Sequence, residues 1–236
     1  MRVCLMLNKP LSNVVSVSPN SEEDENLENV VGLPASVLLS VVERGILARN
    51  QVNSLMPITT LGYWVWANMV ASIREALIPL GWKSTHEHGL EKVVSSERKI
   101  AIVCKSAVQG VGDLEQDLKT RGGSGPVVKQ VADDNLKSQI PLFKDDLIEP
   151  QLDEDLNDNP MEIWMLIYQV DKENNEVRAE LAKPIGYDAQ DSLDKWEKRF
   201  IIGIISFDDL PDDLSFEGFE QTDEIDIEVE RKVNGK

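Results

Sequence analysis

The sequence predicts an α+β domain, and three observations carry that prediction. The first is a hairpin pattern from Met161 to Ala182, where two apolar-rich runs flank the polar connector Asp171-Lys-Glu-Asn-Asn175. The second is another pair of β candidates, Leu90–Ser95 and Lys99–Lys105, separated by Ser96-Glu97-Arg98. The third is helical periodicity ahead of both, between Pro34 and Leu80. Together they predict a mostly antiparallel sheet of about five strands built from the two hairpins, with two N-terminal helices and one helix between the hairpins.

In chain order, residues 1–34 read as a loose segment, because Ser18 to Asn29 has no apolar periodicity. Val37, Leu38, Val41, Val42, Ile46 and Leu47 then recur at helical spacing, with Ser36 placed to cap them. A second helix is expected over Leu61–Leu80, with an apolar stripe through Trp64, Ala67, Met69, Val70, Ile73 and Leu77. Pro79 and Gly81 end it. Ile100-Ala-Ile-Val-Cys104 has the composition of a buried strand, and Gln109-Gly-Val-Gly-Asp113 breaks the chain after it.

Pro126 opens a helix from about Val127 to Ser138. Ile163–Tyr168 is apolar almost without interruption and fits a strand covered on both faces. Val177, Ala179 and Leu181 alternate with Glu176, Arg178 and Glu180, so the return strand should turn those charges to solvent. Tyr187–Lys195 reads as a loop with a helical turn. Phe200-Ile-Ile-Gly-Ile-Ile-Ser206 is another buried strand, with Gly203 marking a bulge or a close backbone approach. Ile225, Ile227 and Val229 alternate with acids near the C-terminus, as in an edge strand or a segment that pairs with a partner.

Charge divides the chain more sharply than apolarity does. Of a net charge of −18, most comes from two stretches: seven acids against one Lys over 144–159, and eleven acids against three basic residues over 208–236. Residues 61–140 are nearly neutral. The reading is a single domain over 35–207 that includes the acidic linker 144–159, followed by an acidic tail, 208–236. Such a balance excludes a general binder of phosphate backbones, which depends on Lys and Arg, and suits a basic protein partner.

Cys4 and Cys104 form no disulfide framework, and the N-terminal apolar residues are broken by Lys9, Pro10 and Asn13 before a signal-peptide core is complete. No apolar run approaches the ~20 residues of a spanning helix. The expectation is a cytoplasmic protein without a membrane segment.

Four groups of residues are candidate sites. Phe207, Asp208, Asp209, Leu210, Asp212, Asp213, Leu214, Phe216 and Phe219 interleave apolar anchors with acids, which suits docking onto a basic partner. A solvated tail is the plainer account. Lys119, Arg121, Gly122, Gly123, Ser124 and Lys129 surround a glycine-rich loop ahead of a helix, where an anion or nucleic acid can be contacted. The loop lacks both GxxxxGK[ST] and GxGxxG, so a flexible connector is the plainer account there too.

His86 and His88 have no nearby Cys to complete a zinc site, and an exposed loop after Trp82 is the plainer account of them. Glu91, Glu97, Lys99, Lys105 and Asp113 supply ingredients of a metal-dependent nuclease without its Asp, then Glu-x-Lys, arrangement. No nucleophile–base grouping is readable, and neither a cofactor nor a metal is expected.

Several blocks together resemble an uncharacterised family of bacterial proteins found on mobile elements and genomic islands. They are Ile73-Arg-Glu-Ala-Leu-Ile-Pro-Leu-Gly-Trp82, Ile100-Ala-Ile-Val103, the helix after Gly125-Pro126, and the hairpin with Trp164, Tyr168, Asp171, Val177–Leu181 and Pro184-Ile185. Gly112-Asp113 and Arg121-Gly122 stand where such proteins carry a Gly-Asp and a basic-glycine pair, with altered surroundings. The resemblance covers roughly residues 35–207. It implies a bacterial cytosolic accessory protein and transfers no active-site residues.

The expected function is therefore a non-catalytic interaction protein that engages a basic partner through acidic segments. The alternatives are a nucleic-acid-acting protein, such as a metal-dependent nuclease, or a DNA mimic.

Overall fold

The computed structural model describes residues 15–17, 21–87, 90–122, 126–137 and 161–206. The acidic stretches 144–159 and 208–236, with all nine residues proposed for partner docking, lie outside the described residues, as do Gly123, Ser124 and His88.

The fold is α+β. Strands β1 (Val15–Val17), β2 (Lys83–Glu87), β3 (Leu90–Ser95), β4 (Ile100–Gln109), β6 (Glu162–Asp171), β7 (Glu176–Tyr187) and β8 (Leu193–Ser206) form one sheet in the order β1-β8-β7-β6-β4-β3-β2. A short β5 (Lys119–Thr120) pairs with β4 off that path. Helices α1 (Ser21–Val31), α2 (Ala35–Ala48) and α3 (Thr60–Leu77) cover one face, and α4 (Pro126–Lys137) lies on the other.

The apolar runs of β4 and β6 are explained by this layering, since each strand is buried on both faces. Ile100, Ile102, Cys104, Trp164, Leu166 and Tyr168 join the helices α1–α3 in one core. Val103, Ala107, Met165 and Ile167 join Val131 and Ala132 of α4 in the other. Where α2 crosses α3, a Cβ on Gly45 would lie 2.2 Å from Met69 Cγ and 3.2 Å from the Val65 carbonyl oxygen, so only glycine permits this approach.

The sheet is larger than expected and differently joined. β4 and β6 run parallel, from Ile100 opposite Glu162 to Ser106 opposite Tyr168, so the two hairpins meet through a crossover connection instead of antiparallel pairing. The strand expected at Phe200 begins at Leu193, replacing the helical turn expected over 187–195. Lys83–Glu87, expected as loop, pairs with β3 as an edge strand.

The segment expected to be loose contains β1 and α1, because Leu27 and Val31, one turn apart, are both buried in the core. α2 starts at Ala35 from Pro34, ahead of the Ser36 cap expected for it. The buried stripe of α3 runs through Val65, Met69, Ile73 and Leu77, one residue round from Trp64, which is exposed.

The expected bulge at Gly203 is present: Ala179 pairs with Gly203 and Glu180 with Ile201, leaving Ile202 as the extra residue. Among the described residues no single helix is long and apolar enough to cross a membrane.

Candidate functional site

β4 is the strand whose outer edge changes partner. β3 pairs with it up to Ile102, and β5 takes over at Ala107. Between them the ladder is interrupted, and Arg121 N–H donates to the Ser106 carbonyl at 2.9 Å just past the gap. The interruption opens a cavity of about 290 Å³ between α3 and α4, lined by Gly62, Trp66, Leu90, Glu91, Val103–Ser106, Arg121, Val128, Met165 and Tyr168. Its side chains come from both faces of the sheet, as strand alternation requires.

The polar groups in this notch are in unequal states. Burial pushes the Cys104 thiol up to about 12, so it is a neutral core group and no nucleophile at ordinary pH. Burial also raises the Tyr168 phenol, which shares a hydrogen bond with Ser106. Glu91 has both oxygens occupied: Arg74 Nη2 donates to Oε2, and His86 Nδ1 stands 2.5 Å from Oε1. The hydrogen bond from Arg74 holds this carboxyl below its ordinary value against the opposing effect of burial, with His86 adding to it.

Lys105 differs. Burial lowers its ammonium, and among the described residues no carboxylate stands against it. Arg74 Nε is buried without a hydrogen-bond partner among the described residues.

A second polar assembly sits on the α4 face of β7 and β8. Glu180, expected at the surface, is fully buried. The loop 110–117 folds over it: Gly112 N–H donates to Glu180 Oε2 at 3.0 Å, and Val111 N–H donates to Gln169 Oε1 at 3.1 Å. Arg199 donates to both Glu180 oxygens, at 2.5 and 3.0 Å, and to the carbonyls of Gly110, Asp113 and Gln116. Every partner here is internal, so the cluster fastens a loop. Arg178, also expected to face outward, is half-buried and pairs with Glu176 and Asp171.

The proposed anion loop is fastened in the same way. Lys119 Nζ lies 2.6 Å from Asp188 Oδ2, Lys129 pairs with Asp191, and the Gly122 carbonyl accepts from Ser192 Oγ at 3.3 Å. Two of its three cations are thus drawn to the turn between β7 and β8. Asp113, a nuclease ingredient in the sequence reading, binds Glu115 N–H and the Gln116 amide of its own turn. Among the described residues no three His, Cys, Asp or Glu side chains gather as a metal site.

Sequence reasoning missed the notch. The available signal was Lys105 itself, a lone cation within the apolar strand Ile100-Ala-Ile-Val-Cys-Lys-Ser-Ala-Val108. No family model, curated protein or solved structure matches this chain.

Proposed function

We propose that this is a non-catalytic binding protein that engages a basic protein partner through its acidic segments. The observation that carries this reading is how the folded body uses its cations. Arg44 pairs with Glu75, Arg74 with Glu91, Lys119 with Asp188, Lys129 with Asp191, Arg178 with Glu176, Lys183 with Glu162 and Glu197, and Arg199 with Glu180. These seven cations are engaged by acids of the body itself and are not available as counter-charge to the eighteen further acids in the two acidic stretches. Those acids are left for a partner. The role agrees with the bacterial accessory protein that the resemblance implies.

The attachment points bear on the DNA-mimic alternative. Residues 138–160 join the end of α4 to Glu162 at one end of the sheet, whereas 207–236 continue from Ser206, opposite Glu176 at the other end. A strand of this length spans about 30 Å. Two acidic segments rooted so far apart favour two contacts with a protein over one phosphate-like row. The paired state of Lys119 and Lys129 likewise weakens the nucleic-acid alternative.

The test is affinity capture from a bacterial lysate with the full chain, a chain ending at Ser206, and a full chain with the acids of 144–159 changed to Asn and Gln. The reading expects basic proteins on the full chain, released at about 0.5 M salt, where screening reaches a few ångströms. It also expects them to be lost from one or both altered chains. Identical capture by all three chains overturns it.

A further inference from the structure

We propose that the notch at the outer edge of β4 binds a small carboxylate with an apolar body, its anionic head set between Lys105 and Arg121. This inference is independent of the acidic segments, since every lining residue belongs to the folded body.

The cavity suits such a molecule in size and in wall chemistry. At about 290 Å³ it stands at the lower end of small-molecule sites, and Trp66, Leu90, Val103, Val128 and Met165 give it apolar walls. The gap between the β3 and β5 ladders is the entrance: residues 103–105 of β4 are paired with neither strand.

The sign of the ligand follows from Lys105. An ammonium drawn into an apolar wall without a counter-ion is unfavourable, and an incoming anion relieves it. Glu91 lines the same cavity and cannot serve, because Arg74 and His86 occupy its two oxygens. Arg121 lines the same cavity, and its charge is felt at the Tyr168 phenol. Cys104 and Tyr168 stay neutral across ordinary pH, so the notch confronts its ligand with the Lys105 ammonium and one carboxylate already neutralised.

A neutral molecule of the same shape fills the walls and leaves Lys105 unpaired. Inorganic phosphate pairs Lys105 and leaves the walls bare. A monocarboxylate carrying a ring or a short chain does both.

The test is calorimetric titration of the full chain with benzoate and hexanoate, against benzyl alcohol, 1-hexanol and inorganic phosphate. Saturable binding of at least one carboxylate is expected, with its uncharged counterpart and phosphate weaker by about tenfold or more. Lys105→Met keeps the apolar stem and should weaken the carboxylate by about tenfold or more while leaving the melting temperature unchanged or higher. If K105M does not fold, Arg121→Gln carries the same comparison. In [¹³C]lysine NMR spectra, saturating carboxylate should move the Lys105 titration midpoint upward, a shift that a purely structural lysine would not show. The proposal is overturned by no saturable carboxylate binding up to about 10 mM, by equal binding of the alcohols or of phosphate, or by variants that bind as the parent does.

Discussion

Arg199→Met is the perturbation whose consequence the structure defines most closely. The guanidinium holds both oxygens of Glu180, which has no exposed surface, and three carbonyls of the loop above it. Removing it leaves the Glu180 carboxylate buried with the Gly112 N–H still donating to it. Breaking one side of a buried ion pair costs about 3–5 kcal/mol. The released carbonyls add less, since the side of the loop around Gln116 reaches water.

A loss near 4 kcal/mol is a large part of the ~5–15 kcal/mol that holds a domain folded. For a protein of this size it lowers the melting temperature by roughly 10 °C. Urea denaturation followed by circular dichroism and tryptophan fluorescence measures it, and the double variant R199M/E180M supplies the decisive comparison. With no charge left to strand, the double variant should be more stable than R199M alone. A loss below about 1 kcal/mol for R199M, or simple additivity in the double variant, refutes the reasoning.

Three further outcomes follow from other parts of the fold. Gly110→Ala should lose about 1–3 kcal/mol and speed hydrogen exchange across 110–118. At φ 81° a Cβ would lie 2.3 Å from the Asp117 carbonyl oxygen; unchanged exchange would show that the loop adapts freely. Asn135→Leu should lose about 3 kcal/mol in urea. Its amide donates to the Ile163 and Pro184 carbonyls at 2.9 Å each and accepts from Ile163 N–H at 3.1 Å, fastening α4 to the sheet.

The third concerns Lys183. Burial works to lower its ammonium, but Glu162 at 2.8 Å and Glu197 at 3.0 Å outweigh this, and the net direction is upward. A raised lysine contributes stability that is full below its unfolded value near ~10.4 and is lost as pH rises through the folded value. Melting temperatures from about pH 8 to about pH 11 should therefore fall more steeply for the parent than for Lys183→Met, and parallel curves would refute the assignment.

What could be read in advance was local. The 161–182 hairpin, its connector closed by Asp171 and by Asn175 at φ 52°, the helix after Pro126 and the Gly203 bulge all follow from spacing and turn chemistry. The parallel pairing of β4 with β6 could not, because a doubly covered apolar strand carries no mark of its neighbour's direction. β2, Lys-Ser-Thr-His-Glu, has no apolar alternation to announce it, since an edge strand holds its place by backbone bonds.

Glu180 looked like any outward charge in an alternating strand. Only the distant partners Gly112 and Arg199 make its burial tolerable. The notch was illegible for the same reason. Lys105 is visible in the sequence, but the gap beside it is made by where β3 and β5 stop.

The sheet order also governs when the molecule can become itself during synthesis. β6, β7 and β8, the last of the described strands to be made, lie between β4 and β1, which are both made much earlier. At about 5–20 residues per second, several seconds separate the appearance of β4 from that of Ser206. Throughout that interval β1 lacks the strand it pairs with, and until β6 is made the inner edge of β4 stays open, exposing an apolar strand that another chain can join. A nascent chain stalled before residue 206 is thus an incomplete sheet with a vacant middle, and the final strand joins the two halves in a single late event.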